Sequence, residues 1–206
     1  MFERIPEPEL MQNFQQCMNY NFMHKEDPTI ITAWLEVYHE TVNITKGTIV
    51  DLGSGTANLI IALLNLHPEL TAVCYEASKA MCHIARQNIQ QHGLEDRITV
   101  IHDDLYTATG AYDLAMSTRA LHHVSDTARF WELITALSPN FMVCDLERPD
   151  SEDLIPSDID IDIQNSLRAA YTVSEIREQV ADITCEVSRT SIGPVFYGVT
   201  VYRKIQ

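Results

Sequence analysis

One short segment constrains the fold of this chain more than any other. The β-branched run TIVD at 48–51 leads into the turn Leu52-Gly53-Ser54-Gly55, and an apolar helical stretch follows at 59–66. Glycine tolerates positive φ and lets a ligand approach the backbone, while the helix after the turn presents unpaired N–H groups. The segment therefore predicts a strand, a turn and a helix that together bind a phosphate or carboxylate group.

The same alternation of strand and helix continues along the chain. Each predicted strand is a short apolar run, and the helical stretches are closed by glycine or proline. Such alternation indicates right-handed βαβ units and a parallel sheet covered on both faces, with ligands at the carboxyl ends of the strands. We predict strands at 48–51, 70–75, 97–101, 112–116 and 141–144, with helices at 59–66, 78–92 and about 126–137 between them.

The two ends of the chain carry different patterns. Residues 146–165 are rich in acids and are expected to form a loop with one short ordered piece beside the ligand cleft. The final two strands should form a hairpin through Gly193-Pro194, antiparallel to the main sheet. The other elements predicted are helices at 10–20, 28–41 and 172–180 and strands at 184–189 and 195–202. We expect one domain, 1–206, made of a helical cap (1–46), a ligand-binding core (47–145) and a C-terminal part (146–206).

Charge and cysteine content disfavour several classes of function. The formal net charge is −15 and there is no run of basic residues, which disfavours nucleic acids and anionic membrane surfaces as partners. No apolar run approaches the roughly 20 residues that span a bilayer, and the first residues do not resemble a signal peptide. The cysteines lack the close spacing of a zinc site, and they are Cys17, Cys74, Cys82, Cys144 and Cys185. We therefore expect a reduced, cytoplasmic protein.

The glycine turn discriminates between nucleotide-binding families. A dinucleotide site would require glycine or alanine where Asn58 stands, and a phosphate P-loop would require a lysine that is absent here. The pattern Asp-x-Gly-x-Gly-x-Ala, from Asp51 to Ala57, instead resembles the first motif of class I methyltransferases, which use S-adenosylmethionine.

Further motifs follow in the order and spacing of that family. They are the acid-x-Ser-x-x-Met tail at 76–81, the strand end IHDDL at 101–105, YDLAMS at 112–117, LHHV at 121–124 and LSPN at 137–140. The resemblance covers residues 48–145. It implies a Rossmann-like α/β fold with a doubly wound seven-stranded sheet, mostly parallel with the last strand antiparallel, and N-terminal helices that act as a lid.

The resemblance also implies how S-adenosylmethionine would be bound. Glu76 would accept hydrogen bonds from the ribose hydroxyls, and Met81 would pack near the adenine. Asp104 is the acid expected at the adenine amino group, and Asp103 takes its place if the register slips by one residue. The complete set of cofactor-binding candidates is Asp51, Gly53, Ser54, Gly55, Glu76, Ala77, Met81, Asp103, Asp104, Leu105 and Ser117.

The chemistry expected of such a protein is methyl transfer to a small-molecule acceptor held in line with the sulfonium. No metal is required for it, and none is predicted. His122 and His123 are the candidate general bases, although this pair also has a structural role in related proteins. Candidate substrate residues are Tyr20, Arg119, Arg168, Tyr171 and Tyr197.

Two alternatives to a methyltransferase remain, and so does a hypothesis about the acceptor. The first alternative is a non-catalytic protein of the same fold that binds the nucleotide, and the second is an NAD-dependent oxidoreductase. The acids of 145–162 would attract a cationic acceptor such as an amine if they line the cleft, and otherwise they form a solvated loop.

Overall fold

The computed structural model describes residues 2–7, 11–26, 28–191 and 197–205. Its strands are β1 (Lys46–Leu52), β2 (Glu69–Glu76), β3 (Ile98–His102), β4 (Leu114–Thr118), β5 (Phe141–Leu146), β6 (Glu186–Ser191) and β7 (Tyr197–Arg203). Its α-helices are α1 (Phe14–Glu26), α2 (Pro28–Thr41), α3 (Asn58–Leu66), α4 (Lys79–Gln91), α5 (Thr127–Leu137), α6 (Ile161–Ala169) and α7 (Val173–Gln179). Short 3₁₀ turns occupy Leu105–Thr107, Leu121–His123 and Glu152–Leu154.

The strands form one seven-stranded sheet in the order β3-β2-β1-β4-β5-β7-β6. β1 to β5 are parallel, while β7 lies between β5 and β6 and is antiparallel to both. The order reverses between β1 and β4, which places the topological switch point beside the glycine turn. The predicted Rossmann-like sheet with an antiparallel last strand is confirmed.

Apolar packing on both faces of the sheet explains why its central strands are continuous apolar runs. Every residue of β5 is buried. One core cluster joins the sheet to α2 and α3 around Trp34 and Ile60, and the other joins it to α5 and α7 around Trp131 and Ile176. The two layers hold the strand ends that carry the polar site in fixed positions.

α4 and α7 begin where side chains cap them. The Ser78 hydroxyl accepts a hydrogen bond from the Met81 amide at the start of α4. Thr172 and Glu175 form a reciprocal capping box at the start of α7. These caps satisfy amides that have no partner within the helix.

Segment 146–165 is more ordered than the sequence analysis expected. It contains a 3₁₀ turn and the start of α6, where the Asp160 carboxylate accepts a hydrogen bond from the Asp162 amide. The apolar residues at 159, 161 and 163 alternate with acids, but Ile159 and Ile163 pack on the core while Ile161 is exposed. Ile159 precedes the Asp160 cap and Ile163 lies in the first turn of α6, so the alternation of the sequence spans a loop and the start of a helix.

Other boundaries move by a few residues. β4 begins at Leu114 rather than 112, because the Tyr112 amide bonds to the Leu137 carbonyl outside the sheet ladder. α1 begins at Phe14 rather than near 10. The predicted turn Gly193-Pro194 lies outside the described residues. Within the described ranges, no helix is long and apolar enough to cross a membrane.

Candidate active site

A cavity of about 800 Å³ opens at the carboxyl ends of β1, β2 and β4. Its floor is the glycine turn and the strand ends, and α1 and α2 contribute wall residues such as Tyr20 and Trp34. The start of α6 lines another side through Asp160 and Asp162. This volume lies within the range of small-molecule and cofactor sites.

The glycine turn requires the glycines at its two ends. Gly53 has φ 78° and Gly55 has φ 56°, in the left-handed region that side chains disfavour. The amides of Gly53 and Ser54 both donate to the Tyr75 carbonyl, at 2.9 and 3.2 Å. A Cβ on Gly53 would lie 2.6 Å from the Cβ of Ala120, whereas a Cβ on Gly55 would meet no atom within 4 Å. The turn therefore leaves room for a ligand beside Gly55.

Glu76 ends β2 beside this turn. One carboxylate oxygen accepts a hydrogen bond from the Gly55 amide at 2.8 Å, and the other accepts one from the Ser78 amide at 2.7 Å. Burial raises the pKa of this carboxyl, although these amides oppose the rise. Each carboxylate oxygen has a second acceptor position, so Glu76 can also accept from two neighbouring hydroxyls of a ligand.

Asp51 lies below the cavity rather than on its wall. Its side chain is 2% exposed, and Oδ1 has no hydrogen-bond partner among the described residues. Burial, together with the charge of Glu76, raises its pKa to about 7. The environment of Asp51 beneath the turn therefore disfavours the ionised form of its carboxyl.

The other cofactor-binding candidates divide into two groups. Ala77, Met81, Asp104 and Leu105 line the cavity together with the turn and Glu76. Asp103 and Ser117 do not line it. The exposed Asp103 accepts a hydrogen bond from the Asp104 amide, and the buried Ser117 hydroxyl donates to the Leu52 carbonyl at 2.8 Å. Of the two acids considered for the adenine, only Asp104 is placed to meet a ligand.

His122 is fixed at the opposite end of the cavity by the last residues of β5. Its Nδ1 lies 2.7 Å from Oδ1 of Asp145, and its backbone amide donates to Oδ2 of the same carboxylate at 2.7 Å. Burial acts to raise the pKa of Asp145, but the His122 ring and the hydrogen bonds hold it below its ordinary value. The His122 side chain is only 3% exposed.

His123 packs beside His122, with ring centroids 4.1 Å apart. Burial and the neighbouring charge of His122 lower its pKa to about 4. His123 is therefore neutral near pH 7 and lines the same cavity.

Glu7 is a site residue that the sequence analysis missed. Its Oε2 lies 3.8 Å from Nε2 of His122 and 3.8 Å from Nδ1 of His123, and it accepts a hydrogen bond from Ser166 at 3.1 Å. Burial raises its pKa, although the charge of His122 opposes the rise. The sequence did not assign this acid to the site, because contacts between distant parts of the chain place it in the cavity.

Hydrogen bonds from Arg4 and Ile5 help to hold the segment 2–7 in place. The Arg4 guanidinium donates to the carbonyls of Ala169 and His122, at 2.6 and 2.8 Å. The Ile5 amide donates to the Arg168 carbonyl at 3.1 Å.

The substrate candidates also fall into two groups. Tyr20 and Arg119 line the cavity, with the guanidinium 5.2 Å from the tyrosine ring centroid. The other three lie elsewhere. Arg168 pairs with Glu152 at 2.9 Å, Tyr171 stacks against Arg4, and Tyr197 stacks against Arg189 on the surface.

The acidic segment behaves mainly as a surface. Glu147 pairs with Arg189, and Asp150, Asp153 and Asp158 are exposed. Asp160 and Asp162 line the cavity. The hypothesis of a cationic acceptor therefore depends on those two acids and Glu7.

Comparisons with known proteins agree with this architecture. Residues 50–140 match a family described as a methyltransferase domain. The plantazolicin methyltransferase BpumL, solved with S-adenosylhomocysteine, superposes with a TM-score of 0.71 and 17% identity, covering 92% of this chain and 90% of that one. A putative S-adenosylmethionine-dependent methyltransferase from Methanococcus maripaludis superposes with a TM-score of 0.69 and 19% identity, covering 98% of both chains.

Curated relatives match a shorter region. The ribosomal protein uL3 glutamine methyltransferase of Neisseria gonorrhoeae is 34% identical over 88 residues, which is 42% of this chain and 28% of that protein. A mitochondrial ribosomal RNA small subunit methyltransferase of Arabidopsis thaliana is 35% identical over 71 residues, which is 34% of this chain and 18% of that protein. The matched region thus spans less than a third of either relative.

Residues 50–140 match a methyltransferase domain, and the sheet order and the glycine turn agree with the class I, S-adenosylmethionine-dependent type of that domain. The family assignment made from the sequence motifs is confirmed. The match at 50–140 runs from β1 to the residue before β5 and includes the glycine turn, Glu76, Met81 and Asp104.

Proposed function

We propose that this protein transfers a methyl group from S-adenosylmethionine to a small-molecule acceptor. The proposal rests on one observation. The same cavity contains the glycine turn and Glu76 at one end and His122 and Glu7 at the other. A methyltransferase needs these two neighbouring binding regions, because donor and acceptor must be held in line and close together.

The cofactor end has the features that such a ligand needs. The open space beside Gly55 takes the amino-acid part, the Glu76 carboxylate accepts from the ribose hydroxyls, and Met81 and Asp104 flank the base. When bound, S-adenosylmethionine supplies a methyl group that its sulfonium already activates. The protein therefore has to bind the cofactor and the acceptor, orient the acceptor toward the methyl group and exclude water.

The acceptor end is formed by Tyr20 and Arg119 together with the pair His122 and His123. Asp145 orients the His122 ring, so its Nε2 faces the cavity as a proton acceptor. His122 is thus better placed than the more exposed His123 to take a proton from an acceptor hydroxyl, thiol or amine.

The helices beside the cavity support a small acceptor. Residues of α1, α2 and α6 line it opposite the strand ends and restrict the space that an acceptor can occupy next to the cofactor. A net charge of −15 also opposes the approach of RNA. The relatives named for ribosomal substrates make a protein side chain or an RNA base the second candidate acceptor.

The proposal can be tested in two steps. Calorimetric titration with S-adenosylhomocysteine, beside NADH, should show micromolar or tighter binding of the first compound alone. Binding of NADH alone would instead support the oxidoreductase alternative.

The second step incubates the protein with S-adenosylmethionine labelled in its methyl group. A panel of small hydroxyl, thiol and amine compounds is compared with ribosomal proteins and RNA. Label in a small compound supports the proposal, label only in a macromolecule overturns the acceptor class, and binding with no turnover on any acceptor favours the non-catalytic alternative.

A further inference from the structure

The acceptor end contains three side chains whose electron-pair donors converge. These are Glu7, His122 and His123, which we call the Glu-His-His cluster. Oε2 of Glu7 lies 3.8 Å from one ring nitrogen of each histidine, and all three donor atoms lie within 4.8 Å of one another. All three residues line the cavity.

Asp145 fixes the orientation and the tautomer of His122. Its Oδ1 accepts from Nδ1 of His122 at 2.7 Å, and its Oδ2 is held by the His122 amide. With the proton on Nδ1, Nε2 carries a lone pair and faces Glu7. Histidines that bind metals usually donate their second ring N–H to a carboxylate in this way.

When Glu7 is ionised and both rings are neutral, the cluster brings together electron-pair donors that a proton or a metal ion between them would stabilise. The carboxylate of Glu7 and the lone pair on Nε2 of His122 face each other. The Ser166 hydroxyl donates a hydrogen bond to the carboxylate. Among the described residues that line the cavity, the acids are Glu7, Glu76, Asp104, Asp160 and Asp162, and the basic residue is Arg119. The electrostatic field of the cavity therefore attracts a cation.

We propose that the Glu-His-His cluster binds a divalent transition metal ion of the Zn²⁺ type. Two imidazoles and one carboxylate are a ligand set that such ions use at open sites. A tetrahedral site with ligands at about 2.1 Å places the donor atoms about 3.4 Å apart, so small side-chain rotations bring the cluster to that spacing. The sequence analysis predicted no metal because methyl transfer does not require one, and the distance of Glu7 from the histidines in the chain concealed the cluster.

Three protein ligands leave one coordination position open toward the cavity. If the proposed function holds, that position takes up the acceptor through its hydroxyl or thiol, and the metal orients the acceptor beside the cofactor. Nε2 of His122 would then be a metal ligand, and the metal, rather than that nitrogen, would favour loss of the acceptor proton. The acceptors expected are then compounds with a metal-binding oxygen or sulfur rather than hydrocarbons or amides.

Nearby arginines oppose a cation, but their geometry limits the effect. Arg4 directs its guanidinium at the backbone carbonyls of His122 and Ala169 rather than into the cluster. Glu7 and Asp145 together supply two negative charges, which match a divalent ion.

The test measures metal binding without any acceptor. The full-length protein is stripped with a chelator and titrated with Zn²⁺ by calorimetry and with Co²⁺ by visible absorption. We compare the wild type with Glu7→Gln, His123→Ala and a control, His83→Ala, which removes an exposed histidine outside the cavity. Circular dichroism verifies that each variant is folded, and S-adenosylhomocysteine is titrated separately.

We expect one Zn²⁺ per chain, an affinity at least about tenfold weaker in Glu7→Gln and in His123→Ala, and no change in His83→Ala. Failure of the wild type to bind Zn²⁺, or unchanged affinity in either cluster variant, would overturn the proposal. If the protein binds S-adenosylhomocysteine but does not bind Zn²⁺, the metal site alone is rejected. If it binds Zn²⁺ but does not bind S-adenosylhomocysteine, the proposed function is rejected and the metal site is not.

Discussion

Replacing Asp51 with asparagine is expected to change how the stability of the protein depends on pH. The Asp51 carboxyl is 2% exposed, and Oδ1 has no partner among the described residues, so ionising it costs free energy. Its pKa in the folded protein is about 7, against 3.8 for an ordinary aspartate. The folded state therefore holds this proton through a pH range in which the unfolded chain has lost it.

The sign and size of the effect follow from this difference in pKa. A carboxyl whose pKa is raised by folding contributes stability below the unfolded value and loses it as pH rises through the folded value. A difference of about three units at 1.36 kcal/mol each corresponds to about 4 kcal/mol lost between roughly pH 4 and pH 8. Asparagine has nearly the same shape and does not titrate, so the variant should lack this loss.

The assay is urea unfolding of the ligand-free protein and of Asp51→Asn at several pH values from 4 to 8. The free energy of unfolding of the variant, relative to wild type, should rise by several kcal/mol across that range. Glu76 remains in both proteins, so its own titration contributes to both curves. Two curves that stay parallel would refute the reasoning and would mean that Asp51 is ionised in the folded protein.

Three further substitutions test the cofactor end and the fold. Glu76→Ala should weaken S-adenosylhomocysteine binding by about 1 to 3 kcal/mol in calorimetry, while Asp103→Ala, off the cavity, should not change it. An equal loss of affinity in Glu76→Ala and Asp103→Ala would exclude Glu76 as the residue that binds the ribose. Gly53→Val should abolish that binding, because its Cβ would lie 2.6 Å from Ala120 at a positive φ; a variant that binds normally would show that the turn can adapt. Thr172→Ala should lower the free energy of unfolding by about 1 kcal/mol through loss of the capping box, and an unchanged urea midpoint would contradict that.

The cofactor end could be predicted from the sequence because its signals are local. The turn from Gly53 to Gly55 and the acid at the end of β2 lie at strand ends, and parallel strands bring their ends together. The place of each of these residues in the cavity could be predicted from its position relative to a strand. The family resemblance then supplied the ligand.

The acceptor end could not be predicted in the same way. Glu7, Asp162 and Ser166 reach it through packing of the N-terminal segment and α6, and no local pattern records that packing. Arg168 and Tyr171 were expected there, but Arg168 pairs with Glu152 and Tyr171 packs against Arg4. The direction in which such side chains point depends on neighbours that are distant in the chain.

The attachment of residues 2–7 also determines the order in which the two ends of the cavity can open. The Ile5 amide and the Arg4 guanidinium bond to residues at the end of α6 and beside it, whereas the glycine turn bonds to β2 inside the sheet. Local openings of low free energy begin outside the core strands and helices, whose own openings approach the free energy of global unfolding. Release of this segment would therefore expose Glu7 and the acceptor end while Glu76 and the turn stayed in place. Acceptors could then exchange with solvent on one side of the cavity while a nucleotide remained bound on the other.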